Sequence, residues 1–227
     1  NSTLTTNTTG GSNTAGGAGA MFANTTGANN TALGVDALAT NTTADENTAV
    51  GRGALAANTT GTPNTAVGSL TLTANTTGAS NTAMGRQSMQ ANTTGSYNVA
   101  VGRCSLKANT TANSNVAIGT ESLDVNTTGA DNTAVGTNAL GANTTALGNV
   151  AVGSGALAAN TTGTKSVAMG MNALKSATVG GTNTAIGFEA LCNVTDNQDN
   201  TAIGRCSNTV TTTGYGITSV GSNSNPA

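Results

Sequence analysis

The chain repeats one pentapeptide, Asn-Thr-Ala-Val-Gly or a close relative, every 17 residues. Its copies begin at Asn13, Asn30, Asn47, Asn64, Asn81, Asn98, Asn115, Asn132, Asn149, Ser166, Asn183 and Asn200, with a worn copy at Ile217. No insertion or deletion interrupts this spacing. A strict short period is typical of a solenoid, in which each repeat is one coil stacked on its neighbours. We therefore divide the chain into a partial first repeat (1–12), twelve full coils (13–216) and a worn thirteenth repeat with a C-terminal tail (217–227).

We number the positions of each repeat 1 to 17 from its first residue, and their pattern predicts short strands. Position 2 is β-branched, and position 4 is apolar in every full copy after the first, as in Leu33 and Val50. Alternate residues of a strand share a face, so we expect positions 2 and 4 to be buried together. Position 3 is Ala in the first twelve copies, which indicates a second, crowded face. Position 5 is always Gly and marks a corner of the coil.

The rest of the repeat predicts further strands and no helix. Positions 8 and 9 read Ala-Leu or a close variant, as at Leu55 and Leu123, which suggests a second apolar strand. Positions 12 to 15, Asn-Thr-Thr-Gly, suggest a polar strand and a turn. The predicted fold class is therefore all-β: a parallel β-solenoid of about 13 coils with a 17-residue repeat.

Variation is confined to a few positions, which we expect to face solvent. The four Arg all occupy position 6, and the other charged residues except Asp196 occupy positions 7, 10, 16 and 17. The three Cys and the four aromatic residues use the same variable positions. A binding surface on such a solenoid would be built from these positions.

Composition excludes several classes of protein. Hydrophobic residues make up 36% of the chain, but only two Phe, two Tyr and no Trp are present, which excludes a thick aromatic core. A net charge of −2 without a basic patch argues against nucleic acid as a partner. No apolar run approaches the roughly 18 residues of a membrane span, so we expect no membrane insertion. With no His and with scattered carboxylates, we expect no catalysis, cofactor or metal site.

The small number of large apolar side chains in each coil also bears on assembly. Each coil offers two large apolar side chains, which is little to offset the backbone entropy that 17 ordered residues lose. We therefore expect chains to bury apolar faces against one another, as a homotrimer or a filament. The chain begins within a repeat, and we expect it to be a fragment of a longer array or a processed protein.

Several repeats resemble a known family. The strings Asn98–Gly102, Asn115–Gly119 and Ser166–Gly170 are similar to the head repeats of YadA-like trimeric autotransporter adhesins, and to repeat arrays of bacteriophage tail fibres. The resemblance implies a homotrimeric fibre of left-handed parallel β-rolls, with the Val or Ile of position 4 directed into the core. The repeat here is longer than the family's, and its second half differs from the family pattern.

A column of Thr at position 13 has two interpretations. One is a flat hydroxyl ladder like those of ice-binding solenoids, and the other is a plain structural ladder of a residue that favours strands. The members of this possible ladder face are Thr25, Thr42, Thr59, Thr76, Thr93, Thr110, Thr127, Thr144 and Thr161.

The Asn of position 12 also has two interpretations. It opens an Asn-Thr-Thr motif, which is a glycosylation acceptor in a eukaryotic secreted protein. Alternatively, its amide bonds to the Asn of the coils above and below. The nine candidate acceptors are Asn24, Asn41, Asn58, Asn75, Asn92, Asn109, Asn126, Asn143 and Asn160.

The three Cys allow at most one internal disulfide. Cys104 lies six coils from Cys206, far beyond the roughly 7 Å Cα separation that a disulfide spans. Cys192 and Cys206 lie in adjacent coils and are the candidate pair, with free thiols as the alternative. Without a Cys-x-x-Cys pair, the sequence argues against zinc.

These patterns lead to three hypotheses for function. The first is a structural and adhesive fibre segment of a phage tail or bacterial surface, extracellular, with a host receptor or glycan as partner. The second is an extracellular filament subunit, with or without glycosylation. The third is an ice-binding solenoid that uses the Thr ladder. All three depend on which positions the coil turns outward.

Overall fold

The computed structural model describes residues 3–196 and 198–225. They belong to two compact units, Asn1–Ser114 and Asn115–Ala227. The described residues contain no helix, and therefore none long and apolar enough to cross a bilayer. Regular structure consists of one short strand in each coil.

The strands of the first unit are β1 (Thr14–Gly16), β2 (Thr31–Leu33), β3 (Thr48–Val50), β4 (Asn64–Val67), β5 (Asn81–Met84) and β6 (Val99–Val101). Those of the second unit are β7 (Val116–Ile118), β8 (Thr133–Val135), β9 (Val150–Val152), β10 (Val167–Met169), β11 (Thr184–Ile186), β12 (Thr201–Ile203) and β13 (Thr218–Val220).

In both units every strand is parallel to its neighbour and offset from it by one repeat. Ala32 is opposite Ala49 in the first unit, and Ala151 is opposite Ala168 in the second. The order of strands within each unit is their order along the chain. The predicted all-β parallel solenoid with a 17-residue coil is therefore confirmed.

The direction in which the strand faces was predicted wrongly. The Ala of position 3 is the inward residue: Ala32, Ala134 and Ala185 have no exposed surface. Positions 2 and 4 point the other way, and Leu33 of position 4 is 43% exposed. At position 3 the interior of the narrow coil holds a methyl group in each of the twelve full coils.

Positions 8 and 9 complete the core but do not form the predicted second strand. Ala139 and Leu140 are fully buried, as are their counterparts in most coils. The segment from position 5 to position 11 is a series of turns. Positions 12 to 15 are bends, not the predicted polar strand, although Thr25 N donates to Thr42 O of the next coil at 2.9 Å.

Positive φ angles explain this series of turns. The Gly of position 5 has φ +141° at Gly34, and a Cβ there would lie 2.6 Å from the backbone carbon of Gly51. The predicted Gly corner is thus confirmed. Position 9 is also left-handed, with φ 52° at Leu140, which is rare for a residue with a branched side chain. Complete burial of each Leu offsets this backbone strain.

We predict that the Leu of position 9 holds its coil together. Leu140→Ala should lower the free energy of unfolding by about 2–5 kcal/mol, because it leaves a cavity among neighbours that cannot close in. Urea denaturation followed by circular dichroism measures the loss. Thr145→Ala in the same coil, at an exposed position 14, should change stability by no more than about 0.5 kcal/mol. Equal losses in the two variants would contradict this core.

Candidate functional site: polar ladders and an outward apolar column

A ladder of Asn side chains at position 1 runs through each unit. The backbone N–H of Asn64 donates to Oδ1 of Asn47 at 2.9 Å, and its Nδ2 donates to the carbonyl of Gly78 at 2.9 Å. The same pair of bonds recurs at Asn132, which donates to Asn115 Oδ1 and to Ala146 O. An Asn that makes both bonds therefore ties its own coil together and joins it to the coil before.

A second ladder at position 12 shares the same acceptor. Asn92 Nδ2 donates to Asn75 Oδ1 at 2.8 Å and to Gly95 O at 3.0 Å. Gly95 O also accepts from Nδ2 of Asn81, the position 1 residue of that coil, at 2.9 Å. One carbonyl at position 15 thus binds both ladders, and the polar groups in this part of the coil satisfy one another.

The structure buries the nine candidate glycosylation sites. Their side chains are at most 1% exposed, and their amides serve the position 12 ladder. They are Asn24, Asn41, Asn58, Asn75, Asn92, Asn109, Asn126, Asn143 and Asn160. A glycan on Nδ2 would break these bonds and clash with the next coil, so the folded chain presents no acceptor amide there. The ladder interpretation of this column is the one that the contacts support.

The Thr ladder of position 13 is likewise bonded internally. Thr76 Oγ1 donates to Thr93 O at 3.0 Å, and Thr161 Oγ1 donates to Thr178 O at 3.0 Å. The same bond is made by Thr25, Thr59, Thr93, Thr127 and Thr144. Thr42 and Thr110 occupy the same half-buried position. The hydroxyls act along the ladder, which supports its structural interpretation, while the Thr of position 14, such as Thr60 and Thr77, is exposed.

The most prominent outward feature is the side chain of position 4, which we call the apolar column. Its exposed members in the first unit are Leu33 and Met84, at 43% and 44%. In the second unit they are Ile118, Met169, Ile186, Ile203 and Val220, at 38–65%. The Val of the remaining coils are half-buried, namely Val50, Val67, Val101, Val135 and Val152. Exposed aliphatic groups in such a regular row are unusual on a soluble monomer.

Sequence reasoning placed this column in the core, although a signal for its true place is present. A position packed inside a narrow coil tolerates one size, and position 3 is Ala in twelve copies. Position 4 varies among Val, Leu, Ile and Met. Variation in volume at constant hydrophobicity indicates contact with an adaptable surface and not with the coil's own backbone.

The cysteines are free thiols, and they do not all face solvent as expected. Cys104 is buried, at 6% exposure, because its side chain lies against Gln87 of the preceding coil, with Sγ 3.9 Å from Oε1. Cys192 and Cys206 are half-buried and line one groove of about 470 Å³ in the second unit. The described residues hold no group of three His, Cys, Asp or Glu side chains placed to bind a metal ion.

The position 12 ladder ends at Asn160, because the following coils carry Ala177, Val194 and Thr211 at that position. Asn160 Oδ1 is buried and has no hydrogen-bond partner, because the next coil carries Ala177 at position 12 in place of Asn. Coils before this point supply an amide here, as Asn160 itself does to Asn143 Oδ1 at 3.2 Å. A buried acceptor left without a donor costs about 1–3 kcal/mol.

We predict that Ala177→Asn leaves the second unit more stable than Ala177→Asp does. The new amide would donate to Asn160 Oδ1, a net hydrogen bond of about 0.5–1.5 kcal/mol, while its own oxygen would face Val194 without a donor. The difference between the two variants in the midpoint of thermal or urea unfolding therefore measures the donated bond. Ala177→Asp is the matched control, since it has nearly the same shape but no donor, and it should destabilise. If Asp stabilised as much as Asn, the unpaired oxygen would not be the cause.

Comparison with known proteins does not place the chain in a family. No protein-family model, no curated protein and no solved structure matches it. The similarity of its pentapeptides to adhesin head repeats therefore stays a prediction, and its function is argued from the ladders and the apolar column.

Proposed function

We propose that the chain is a structural and adhesive segment of a homotrimeric extracellular fibre, at a phage tail or a bacterial surface. The observation that carries this proposal is the apolar column. Its side chains project from a continuous row of parallel strands in each unit, with one aliphatic group in nearly every coil. The occupant of this face is a further copy of the same chain.

Identity of the copies makes the packing regular. In a parallel assembly around a threefold axis, each coil brings its position 4 side chain to the same height as its counterpart in the other two copies. The invariant 17-residue spacing keeps this match along every coil. The Thr or Val of position 2 lies on the same face and has a β-branched surface that packs well on a pleated sheet.

Burial of the apolar column is the driving force that we assign to assembly. A half-exposed Ile or Met that becomes buried contributes about 1 kcal/mol, roughly half of a full transfer from water. Leu33, Met84, Ile118, Met169 and Ile186 are all in this state. Contributions of this size, added along a fibre, are comparable with the cost of bringing chains together.

The adhesive role belongs to the variable positions, which are distinct from the apolar column. Arg52, Arg86 and Arg205 at position 6 are exposed, and Tyr97 and Tyr215 are 68% and 72% exposed. Arg and Tyr are enriched in recognition surfaces because they combine apolar area with directional polar groups. Repetition along a trimer multiplies weak contacts into firm attachment.

The oligomeric prediction is tested by mass. We expect light scattering to give the mass of three chains for the natural protein. Ile186→Lys with Ile203→Lys should give single chains, because it places two charges in an apolar interface. The control pair Thr145→Lys with Thr162→Lys, at exposed position 14, should remain trimeric. A natural chain that stays monomeric at high concentration would contradict the proposed trimer.

The adhesive prediction is tested by binding. We expect the assembled chain to bind members of a glycan array or cell-surface preparations of bacteria. Tyr97→Ala should weaken that binding about tenfold, as the loss of an aromatic anchor does. Thr94→Ala, an exposed change in the same coil, should leave it unchanged. A trimer that binds nothing, or a Tyr97 variant that binds as well, would remove the adhesive part of the proposal and leave the structural part.

A further inference from the structure

Three consecutive coils of the second unit form the polar groove that contains Cys192 and Cys206. Glu189 and Lys175 also line it. The Sγ of Cys206 lies 4.0 Å from Oε2 of Glu189, whose coil is the one that carries Cys192. Two thiols from successive coils thus open onto the same small volume, together with two charged groups.

The repeat shows how these positions meet. In the first unit Gln87, at position 7, donates to Gln90, at position 10 of the same coil, with a distance of 3.2 Å. Gln87 Oε1 also lies 3.9 Å from Sγ of Cys104, which is position 7 of the next coil. Glu189, Cys192 and Cys206 occupy the same three positions six repeats later. Position 10 of one coil and position 7 of the next are therefore neighbours around a shared side chain.

We propose that Cys192 and Cys206 form a redox-active dithiol, which hydrogen peroxide converts reversibly into a disulfide that joins two successive coils. This inference does not depend on the proposed fibre function, because it uses contacts within a single chain. The structure holds the reduced form, with both thiols free.

The two sulfurs differ in their surroundings, and this difference gives them different roles. Nη1 of Arg205 lies 3.7 Å from Sγ of Cys206, which also contacts Oε2 of Glu189 at 4.0 Å. Reactive cysteines typically lie beside a cationic group and are partly exposed, as Cys206 is. The pKa of the Cys192 thiol is raised above its ordinary value, first by burial and then by the Glu189 carboxylate. Cys206 is therefore the sulfur that is oxidised, and Cys192 is the thiol that resolves it.

The reaction balances in two steps. The Cys206 thiolate attacks one peroxide oxygen, the O–O bond breaks, and the products are Cys206 sulfenic acid and hydroxide. Cys192 then attacks the sulfenic sulfur, the S–S bond forms, and water leaves once the thiol proton and the hydroxyl combine. Both electrons come from the two sulfurs, and peroxide is reduced to water. A dithiol reductant reverses the change.

Cys104 is a natural control within the same chain. It has the same position and a guanidinium at the same distance, since Nη1 of Arg103 lies 3.7 Å from its Sγ. It is buried, however, and its neighbour at position 10 of the preceding coil is Gln90 in place of Cys. It has no resolving thiol, so a disulfide is expected at only one of the two Arg-Cys sites.

The experiment treats the folded natural chain with hydrogen peroxide, then unfolds it, alkylates the remaining thiols and maps them by mass spectrometry. We expect Cys192 and Cys206 to be lost together as one intrachain disulfide, with Cys104 still alkylated, and dithiothreitol to restore all three thiols. Cys104→Ser should behave as the natural chain does. Disulfides between chains only, or equal oxidation of Cys104, would overturn the proposal.

Two variants test the assigned roles. In Cys192→Ser the sulfenic acid of Cys206 should persist and be trapped by dimedone, whereas in Cys206→Ser the dimedone adduct should be absent or many-fold weaker. An adduct of equal yield on Cys192 would overturn the assignment of Cys206 as the oxidised sulfur. Formation of the disulfide in the natural chain should accelerate as pH rises, because the raised pKa of Cys192 leaves its thiolate scarce at neutral pH. A rate independent of pH would contradict its resolving role.

Discussion

Hydrogen bonds between each residue and its counterpart one repeat away organise the whole structure. Asn47 N donates to Asn30 Oδ1 at 2.9 Å, and Thr76 Oγ1 donates to Thr93 O at 3.0 Å. Every such bond requires a backbone group of the neighbouring coil at the same position of the repeat and at the matching height. Inserting one residue anywhere would move two Asn columns and one Thr column out of alignment together. The unbroken 17-residue spacing follows from this shared requirement.

Close stacking also limits what the interior can hold. Position 3 holds only Ala or, in the last copy, Ser219, so eleven of the twelve full coils depend on one large side chain, the Leu or Met of position 9. That residue adopts a left-handed backbone conformation, which costs about 1–2 kcal/mol, and complete burial of its side chain offsets this cost. Because the interior of the coil is so narrow, most of the large aliphatic side chains of position 4 lie on its outer surface. The same narrowness that excludes them from the core makes them available to another chain.

The period of the sequence was enough to predict the class of fold, the parallel pairing and the Gly corners, because each follows from spacing alone. The facing of the strand was not predictable in the same way. Alternation divides a strand into two faces but does not say which is inside, and Ala at position 3 fits either. Leu140 with positive φ could not be foreseen, since Leu rarely adopts that conformation. Burial of Cys104 depends on one contact with Gln87 that no local pattern reveals.

The coil over 166–182 lacks both ladder residues, with Ser166 at position 1 and Ala177 at position 12. The two amides that bind the position 15 carbonyl in earlier coils, as at Gly95, are therefore both missing at Gly180. Backbone pairing of Val167 with Val150 and Thr184 continues through this coil, so the stack is unbroken but less strongly joined. Under a load applied along the stack, we expect the second unit to separate first at this coil. Cys192 and Cys206 lie in the next two coils, where a disulfide between them would join successive coils.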